Sequence, residues 1–474
     1  MKLFSLLKDI KCRVFGNLNL NISGLFHKDT EVKENGLFFC VRGIRVDGNS
    51  FIQGAINNGA VAIVTDQEVS GVNVTQIIVK NVRETMSLIS CKFYGNPADK
   101  IKIIGVTGTN GKTTITTIIS NILNNLGKKC ALIGTNGVFI NGEKFETGMT
   151  TPDPIELQKY LSLIVKKKIE YVAMEVSAHA IDLNKIAGIT FSQMIFTNLT
   201  EDHLDYFKTM EKYFETKSKV FSNKYTKLSI INIDDGFGEI IASSIKTQCF
   251  TYSTINNKSD LFASDIKQTI NGQTFKCFSN NYFLPILGIF NLYNSLAVIL
   301  SLKNLGISEN QIALELKNIE PISGRFNFYN VCDKKVIIDY AHTPDGLANI
   351  LNACKEIAND NKVICVFGCG GDRDKNKRPI MGEIASMLSD FTFITSDNPR
   401  FEDKQKIIND IEKGMTNDKY KIVIDRKKAI IEALDYAKAG DLVVIAGKGA
   451  ENYIEENGII IPYSDKSEIE KYRR

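Results

Sequence analysis

The feature that most constrains the fold is a strand that runs into a glycine-rich turn and then into a helix. Residues 102–106 read KIIGV, and the turn continues through glycines 108 and 111 to Lys112 and Thr113. Such a turn presents backbone N–H groups to phosphate oxygens at the positive end of a helix. Its lysine would reach the β- and γ-phosphates, and its threonine would hold Mg²⁺. A chance glycine-rich turn is the alternative, because the common motif would place glycine where Val106 stands.

Strands and helices alternate on both sides of this turn, which predicts an α/β fold. Helical patterns over residues 113–126 and 210–222 separate strand-like apolar runs, as in a parallel sheet covered by helices. A chain of 474 residues exceeds one ordinary core. Turn-forming residues at 95–99 and 321–324 interrupt the pattern. We therefore expect an N-terminal domain over 1–97, a central P-loop-type parallel-sheet ATPase domain over 98–323 and a C-terminal Rossmann-like domain over 324–474.

Three strands predicted in the last third each end in a turn of small or polar residues. They cover residues 363–367, 391–395 and 442–445. Ligands of open α/β sheets bind beyond the carboxyl ends of the strands, so these turns should meet at one crevice.

Charge and cysteine usage exclude several classes of protein. The 58 basic and 54 acidic residues leave a net charge of +4, which gives no support to a nucleic-acid partner. The ten cysteines show no CxxC pair, as expected in a reducing compartment. No apolar run approaches the length of a membrane span. We expect a cytoplasmic protein.

Ionisable residues cluster at several further places in the sequence. The strand over residues 171–174 ends in Glu175, where a metal-binding acid would belong, although a lone carboxylate there is also an ordinary strand end. His179, His203 and His342 lie in dense polar clusters, whereas His27 is assigned no role.

Six polar or glycine-rich segments follow one another along the chain. They are GVTGTNGKTT, AMEVSAH, FTNLTEDHLDYF, FNLYNSLA, SGRF and DYAHTPD. They resemble the motifs of the Mur ligases, ATP-dependent amide-forming enzymes of peptidoglycan precursor synthesis, over most of the chain from about residue 95. The later motifs GCGGDRDKNKRP, SDNPR and GKGAE are similar to those of members that add the third residue of the peptide.

The resemblance implies a reaction. ATP would phosphorylate the D-glutamate carboxylate of UDP-MurNAc-L-Ala-D-Glu, and an amine of meso-diaminopimelate would attack the acyl phosphate. The products would be an amide, ADP and phosphate. It also implies that the enzyme acts as a monomer.

The resemblance further implies a nucleotide site and two Mg²⁺ ions. Thr113 and Glu175 would bind one ion, and Glu175 and His203 would help bind the second. The ATP-binding residues would be Gly108, Thr109, Asn110, Gly111, Lys112, Thr113, Thr114, Asn291, Arg325, Asp339 and His342. An interdomain salt bridge is the alternative role of Arg325.

The resemblance implies that Lys217 forms a carbamate with CO₂ and thereby becomes a metal ligand. The catalytic residues that it implies are Lys112, Glu175, His203 and Lys217. An unmodified lysine beside two Mg²⁺ ions would be repelled. From the residues alone, Lys217 would be interpreted as a solvated helix lysine. Lys219 should point to another face of the helix.

The UDP-substrate contacts implied by the resemblance are Thr30, Thr150, Thr151, Ser177 and Lys185. The family's Asp-Ser-Arg motif is replaced by residues 28–31, which read KDTE and contain no arginine. Lys185 replaces a usual arginine, so a point charge stands where a planar fork is common.

The diaminopimelate contacts implied by the resemblance are Arg373, Asp397, Asn398, Pro399, Arg400, Gly447 and Glu451. The Arg400 guanidinium matches the second carboxylate of diaminopimelate, which lysine lacks. An unpaired buried fork can penalise the wrong amino acid by about 10⁴-fold. Arg400 could instead cap a helix or pair with Asp403. A lysine- or ornithine-adding ligase, a folylpolyglutamate-synthetase-like ligase and a non-catalytic nucleotide-binding regulator are the alternative functions.

Overall fold

The computed structural model describes residues 1–43, 46–269 and 271–472. Its sheets follow one another along the chain, with helices packed on their faces. The α/β class predicted from the sequence is confirmed, whereas the domain limits stay predictions. No helix in these described ranges is long and apolar enough to cross a membrane.

The first sheet has five strands in the order β1-β5-β4-β3-β2, and only β1 is antiparallel to its neighbour. Alternate residues of β3 enter two different cores: Leu37 and Phe39 face one, and Phe38 faces the other. A single 3₁₀ turn, Gly48–Phe51, precedes helix α2. The elements are α1 Leu3–Leu7, β1 Cys12–Phe15, β2 Gly24–Phe26, β3 Gly36–Phe39, α2 Ile52–Asn57, β4 Ala60–Thr65, β5 Thr75–Val79 and α3 Val82–Phe93.

The second sheet has nine strands in the order β14-β13-β12-β11-β6-β10-β7-β8-β9. Its elements are β6 Lys102–Thr107, α4 Lys112–Asn125, β7 Cys130–Gly134, β8 Gly137–Ile140, β9 Glu143–Phe145, α5 Pro154–Lys166, β10 Tyr171–Glu175, α6 Ala178–Asp182, β11 Gln193–Phe196, α7 Leu204–Phe207, α8 Met210–Ser218, β12 Leu228–Asn232, α9 Gly236–Ser244, β13 Gln248–Ser253 and β14 Leu261–Phe262. Strands from β14 to β7 are parallel, and β8 and β9 are antiparallel.

The strand register of this sheet determines where the site lies. β6 pairs with β10 so that Val106 faces Glu175, which puts this carboxylate beside the glycine-rich turn. Helix α4 packs on this sheet, and its Ile115, Ile118 and Ile122, at helical spacing, are buried in one core with residues of β6 and β10. Helix α8 ends four residues earlier than expected, in a 3₁₀ turn over Lys219–Phe221. That turn directs Val220 and Phe221 into the core.

A three-stranded antiparallel sheet and two helices follow. They are β15 Ser264–Thr269, β16 Gly272–Cys277, β17 Asn280–Leu284, α10 Ile289–Asn304 and α11 Glu309–Lys317. Of these elements, β16, β17, α10 and α11 share a core with α4, so they support the helix that begins at the glycine-rich turn.

The last large sheet has six strands in the order β18-β19-β23-β20-β21-β22, and only β18 is antiparallel. Its elements, with the final hairpin and helix, are β18 Asn327–Val331, β19 Lys334–Asp339, α12 Pro344–Ala358, β20 Val363–Phe367, α13 Lys377–Leu388, β21 Phe391–Ile394, α14 Lys404–Glu412, β22 Tyr420–Ile422, α15 Arg426–Tyr436, β23 Leu442–Ala446, β24 Tyr453–Glu456, β25 Ile459–Pro462 and α16 Asp465–Tyr472. The three strands expected here are adjacent as β23, β20 and β21, so their carboxyl ends lie at one edge.

Candidate active site

The glycine-rich turn adopts a backbone that requires glycine at two positions. Gly108 and Gly111 have φ angles of +148° and +87°. A Cβ on Gly108 would lie 1.8 Å from Thr197 Oγ1. Asn198 secures the turn, since its backbone oxygen and its Oδ1 accept from the N–H groups of Thr109 and Asn110, both at 2.9 Å. The turn therefore leads into α4 with a fixed shape, as a phosphate-binding loop requires.

Lys112 lies back over this turn. Its Nζ donates to the carbonyl oxygens of Gly108 and Thr109, at 2.9 and 2.8 Å. Desolvation lowers the pKa of Lys112, and Glu175 and Asp202 partly oppose that shift. The ammonium is thus held at the turn by acceptors that phosphate oxygens could replace.

Glu175 is buried at the end of β10, with 1% of its surface exposed. Thr135 holds both carboxylate oxygens: its N–H donates to Oε1 at 2.9 Å and its hydroxyl to Oε2 at 3.1 Å. A Cβ on Gly134 would lie 2.2 Å from Oε1, so a larger residue there would have to displace this carboxylate. The sequence interpretation missed Thr135, although its place just after strand β7 could have indicated it.

Lys217 is 1% exposed, so the alternative of a solvated helix lysine is wrong. Its Nζ donates to Gly108 O at 2.8 Å and lies 4.8 Å from the centre of the Tyr213 ring. Burial and the nearby Lys112 charge hold the pKa of Lys217 well below its usual range. Lys219 is exposed and points elsewhere, as expected.

His203 follows Asp202 at the start of α7 and has a left-handed φ of +57°. Its Nε2 lies 3.3 Å from Asp202 Oδ2. Burial lowers the pKa of His203, so the imidazole is neutral at neutral pH, which is the form that binds metals. Burial raises the pKa of Asp202, but the charge of Lys377 and the hydrogen bond from the His203 N–H offset it and keep the carboxylate ionised. Asp202 was not assigned a role from the sequence.

Thr113, Glu175, His203 and Lys217 all line one cavity of about 290 Å³, which we call the loop cavity. The first three supply a hydroxyl, a carboxylate and a neutral imidazole. In the described ranges, no three His, Cys, Asp or Glu side chains form a metal cluster by themselves. The donors therefore fit a Mg²⁺ ion that phosphate oxygens and water also coordinate, which is how Mg²⁺ is commonly bound. An ammonium at Lys217 does not fit.

A second cavity of about 290 Å³, the Asn291 cavity, adjoins the first and shares Asn110, Gly111, Arg325 and His342 with it. The predicted ATP-binding residues that line it are Asn110, Gly111, Thr114, Asn291, Arg325, Asp339 and His342. Asn110 Nδ2 donates to Asp345 at 2.8 Å. That bond joins the glycine-rich turn to the C-terminal sheet's first helix, and Asp345 is a residue that the sequence interpretation left unassigned.

Arg325 lies where the two cavities meet. Its Nη2 donates to Thr113 Oγ1 at 3.2 Å, and its guanidinium lies 4.5 Å from the centre of the Tyr340 ring. Within the part of the chain that the structure describes, Arg325 forms no ion pair within 4.0 Å, so the salt-bridge alternative is not observed. Burial raises the pKa of Asp339, and the positive charge of Arg325 opposes that rise.

The predicted amino-acid contacts meet at the far end of the loop cavity. Those that line it are Arg373, Asp397, Asn398, Arg400, Gly447 and Glu451. Pro399 is buried beside them and does not line the cavity. A Cβ on Gly447 would lie 2.8 Å from Asp397 Oδ2, so this close approach requires glycine.

Lys448 is fully buried beneath these residues and was missed, although it lies inside the GKGAE motif. Its Nζ donates to Asn398 Oδ1 at 2.9 Å and to Glu451 Oε2 at 3.0 Å. Asp397 Oδ1 lies 3.7 Å from the same Nζ. Lys448 therefore fixes two acidic groups and one amide around the crevice.

Arg400 does not pair with Asp403, so that alternative is wrong. Its Nε donates to Glu455 Oε2 at 3.0 Å and its Nη1 to Gly371 O at 2.7 Å. Asp403 instead caps α14 by accepting from the N–H of Lys406.

The predicted UDP-substrate contacts are only partly together. Thr150 and Ser177 line the loop cavity, and Thr151 Oγ1 lies 3.4 Å from Ser177 Oγ. Lys185 is buried and pairs with Asp153 at 2.8 Å. Thr30 is exposed on the 3₁₀ turn Asp29–Glu31, and the contacts described for it reach none of the other four.

Three family models match the chain: a Mur ligase catalytic domain over residues 21–94, a Mur ligase middle domain over 106–302 and a Mur ligase glutamate ligase domain over 324–449. A UDP-N-acetylmuramoyl-L-alanyl-D-glutamate–2,6-diaminopimelate ligase of Clostridium acetobutylicum is 42% identical, covering 100% of this chain and 99% of the relative. A solved structure of a ligase of the same name has a TM-score of 0.71 at 29% identity, over 100% of this chain and 99% of its own. A folylpolyglutamate synthase of Mycobacterium tuberculosis shares only the fold, with a TM-score of 0.62 at 14% identity over 76% of this chain and 91% of its own.

Proposed function

The chain belongs to the Mur ligase family, and we propose that it uses ATP to join meso-diaminopimelate to UDP-MurNAc-L-Ala-D-Glu. Identity of 42% along the whole chain to a ligase named for these substrates supports the activity. One structural observation carries the choice of amino acid. The Arg400 guanidinium lines the same cavity as the glycine-rich turn, so a carboxylate-binding group and a phosphate-binding turn border one cavity.

The first chemical step brings together two anions, the D-glutamate carboxylate and the γ-phosphate of ATP. Lys112 and the backbone N–H groups of the turn would hold the phosphates at the start of α4. Thr113, Glu175 and His203 would hold two Mg²⁺ ions, which supply positive charge to the phosphate oxygens when bound. Thr135 keeps Glu175 oriented toward the cavity through both carboxylate oxygens.

Lys217 would act in this step as a carbamate. Its neutral Nζ attacks the carbon of CO₂, an N–C bond forms, and one N–H proton passes to solvent. The product is an anion with two oxygen donors, whereas a protonated amine would be a cation that Lys112 and a metal ion would repel. The buried Nζ, 2.8 Å from Gly108 O, lies next to the phosphate turn and supports this assignment.

The amine that completes the reaction would bind at the other end of the cavity. Asp397 and Glu451 offer negative charge to ammonium groups of diaminopimelate, and Arg400 offers a fork to its distant carboxylate. Arg373, Asn398 and Gly447 line the same crevice. Because Lys448 already fixes Asn398 and Glu451, these groups are held before the ligand arrives.

The nucleoside part of ATP would occupy the Asn291 cavity. Arg325 and Asp345 reach the turn from the C-terminal part of the chain, through Thr113 and Asn110. Contacts of this kind enclose the reacting groups and protect an acyl phosphate from water.

The rest of the proposal concerns the carrier and the setting. Thr150, Thr151, Ser177 and Lys185 would contact the UDP-substrate, with Thr30 as a further contact. The ten free cysteines favour a reducing compartment, and we propose the cytoplasm, with the enzyme acting as a monomer. We retain domain limits at residues 97 and 323.

The test is amide formation by the purified protein with ATP, Mg²⁺ and UDP-MurNAc-L-Ala-D-Glu, given diaminopimelate or lysine in parallel. We expect phosphate release and a lengthened peptide that depend on both carrier and diaminopimelate. A preference for lysine or ornithine would identify a relative with another amino acid. No phosphate release with these substrates would favour a folate-type ligase or a non-catalytic regulator.

Arg400→Ala and Arg400→Lys refine the test. Loss of the guanidinium should lower kcat/KM for diaminopimelate by about 10²-fold or more while changing that for lysine little. Lysine at position 400 should restore little, because it cannot form the bidentate fork. Equal losses with both amino acids would contradict the proposed role of Arg400.

A further inference from the structure

The guanidinium of Arg400 is already fixed before any amino acid binds. Glu455 Oε2 accepts from Nε at 3.0 Å, and Gly371 O accepts from Nη1 at 2.7 Å. A guanidinium has five N–H donors, and these two contacts use neither hydrogen on Nη2. The end of the fork therefore keeps donors for a ligand carboxylate, while its orientation is set from the other side.

Backbone contacts fix Glu455 itself. The N–H of Arg400 donates to Glu455 O at 3.0 Å, and the N–H of Glu455 donates to Asn398 Oδ1 at 3.0 Å. Asn457 N–H donates to Arg400 O at 2.7 Å. The β24–β25 hairpin is thus joined to the segment that carries the crevice residues, and the Glu455 carboxylate has a limited range.

The crevice contains other acids that a free Arg400 could approach. Asp397 and Glu451 line the same cavity as Arg400. Lys448 lies 3.7 Å from Asp397 and 3.0 Å from Glu451, while Glu455 provides the only ion pair within 4.0 Å described for Arg400 in residues 1–43, 46–269 and 271–472. Without Glu455, the guanidinium would be attracted to the two acids that ammonium groups need. Glu455 keeps the anion-binding and cation-binding ends of the crevice apart.

We propose that Glu455 is a positioning residue that determines specificity, by holding the Arg400 fork toward the distant carboxylate of diaminopimelate. The inference rests on the proposed function. Glu455 does not touch the substrate in this account and acts through Arg400. Free lysine lacks that carboxylate. The rate at which the enzyme uses lysine as a substrate should therefore depend little on Glu455.

Steady-state kinetics of Glu455→Ala and Glu455→Gln test the proposal. For Glu455→Ala, we expect KM for diaminopimelate to rise about tenfold with kcat changed less than about threefold. The kcat/KM for lysine should stay within about twofold, so the diaminopimelate-to-lysine ratio falls. Glu455→Gln keeps an oxygen acceptor without its charge, so its KM for diaminopimelate should rise less than that of the alanine variant.

Glu456→Ala is the matched control. Glu456 lies on the same strand and pairs with Lys404 at 2.8 Å, so its removal also breaks an ion pair between hairpin and helix. Its KM for diaminopimelate should match that of the wild type.

The outcomes separate the proposal from its premise. A wild-type protein that forms no product with diaminopimelate contradicts the proposed function itself. Given an active wild type, an unchanged KM in Glu455→Ala, or equal losses with diaminopimelate and lysine, overturns the role of Glu455. If the alanine variant does not fold, Glu455→Gln decides: a raised KM for diaminopimelate alone supports the role, and wild-type kinetics reject it.

Discussion

Lys112 and Lys217 donate to the same acceptor, the carbonyl oxygen of Gly108, at 2.9 and 2.8 Å. Burial lowers the pKa of both lysines, and the charge of Lys112 lowers the pKa of Lys217 further. Lys112 has a clear use for its charge when phosphates bind. The Lys217 side chain would help to bind cations only if its charge became negative. This is the physical argument for the carbamate.

Lys217→Ala should lower amide formation by about 10²-fold or more, because it removes the proposed carbamate, an anionic group in a buried site that would gather cations. A short carboxylate such as acetate should restore part of the activity by occupying the space. The measurement is phosphate release dependent on carrier and diaminopimelate, with and without acetate. Carbon-13 NMR of wild-type protein equilibrated with labelled CO₂ should show a carbamate carbon that the variant lacks.

Lys219→Ala is the control for this prediction, since Lys219 is exposed two positions further along the chain. It should retain full activity and the carbamate resonance. Full activity of Lys217→Ala without acetate would remove the carbamate from the mechanism.

Gly108→Ala should abolish nucleotide binding and lower the thermal unfolding midpoint. The new Cβ would lie 1.8 Å from Thr197 Oγ1, in a backbone with φ of +148°. Gly127→Ala is the control, because Gly127 also has positive φ but a Cβ there would meet no atom of the described residues within 4 Å. That control should cost only about 1–2 kcal/mol and leave ADP binding intact. ADP titration and thermal denaturation check both variants, and normal ADP binding by Gly108→Ala would contradict the close packing of the turn.

The local pattern of apolar residues was sufficient to predict most elements near the site. Strand β20 has the predicted bounds, and helix α4 begins one residue before the prediction and ends one residue before it. These elements are set by short-range periodicity, so the sequence carries the information directly. Their ends were less accurate where tertiary packing decides, as in the 3₁₀ turn that follows α8.

The supporting contacts of the site could not be predicted from local patterns. Thr135 binds Glu175 from 40 residues away, and Glu455 binds Arg400 from 55 residues away. Such pairs depend on strand order, which the sequence does not state. The burial of Lys217 is a similar case, because α8 is rich in charged residues and resembles a solvated helix until its packing is known.

Arg325→Ala should raise KM for ATP by about tenfold, since the side chain both donates to Thr113 and stacks on Tyr340 between the two cavities. Arg325→Lys should restore little, because an ammonium lacks the planar fork. Arg13→Ala, on an exposed strand position, removes the same charge far from these contacts and should leave KM unchanged. Initial rates at varied ATP decide the matter, and wild-type KM in Arg325→Ala would exclude a nucleotide contact.

Glu402 should make the protein sensitive to acid. Burial raises the pKa of this carboxyl, but hydrogen bonds from Arg378, Asp372 N–H and Lys375 outweigh it and lower the pKa to about 2. A carboxyl with a lowered pKa stabilises the folded state above its unfolded value of about 4.3, and that contribution is lost as pH falls from there toward 2. The loss should amount to about 1 kcal/mol once solvent screening is allowed for.

The comparison of thermal unfolding midpoints at pH 7, 5 and 3 tests this linkage. Glu402→Gln should be less stable than the wild type at pH 7, because buried Arg378 then keeps one ionic partner, Asp410, within the described part of the chain. The difference between the two proteins should shrink between pH 5 and pH 3, where the wild-type carboxylate becomes protonated less readily than in the unfolded chain. Glu146→Gln, at a side chain with 80% exposure, should follow the wild type at every pH. A difference that stays constant from pH 7 to pH 3 would show that the Glu402 carboxyl has an ordinary pKa, and that Arg378 and Lys375 hold it by hydrogen bonds without linkage to protons.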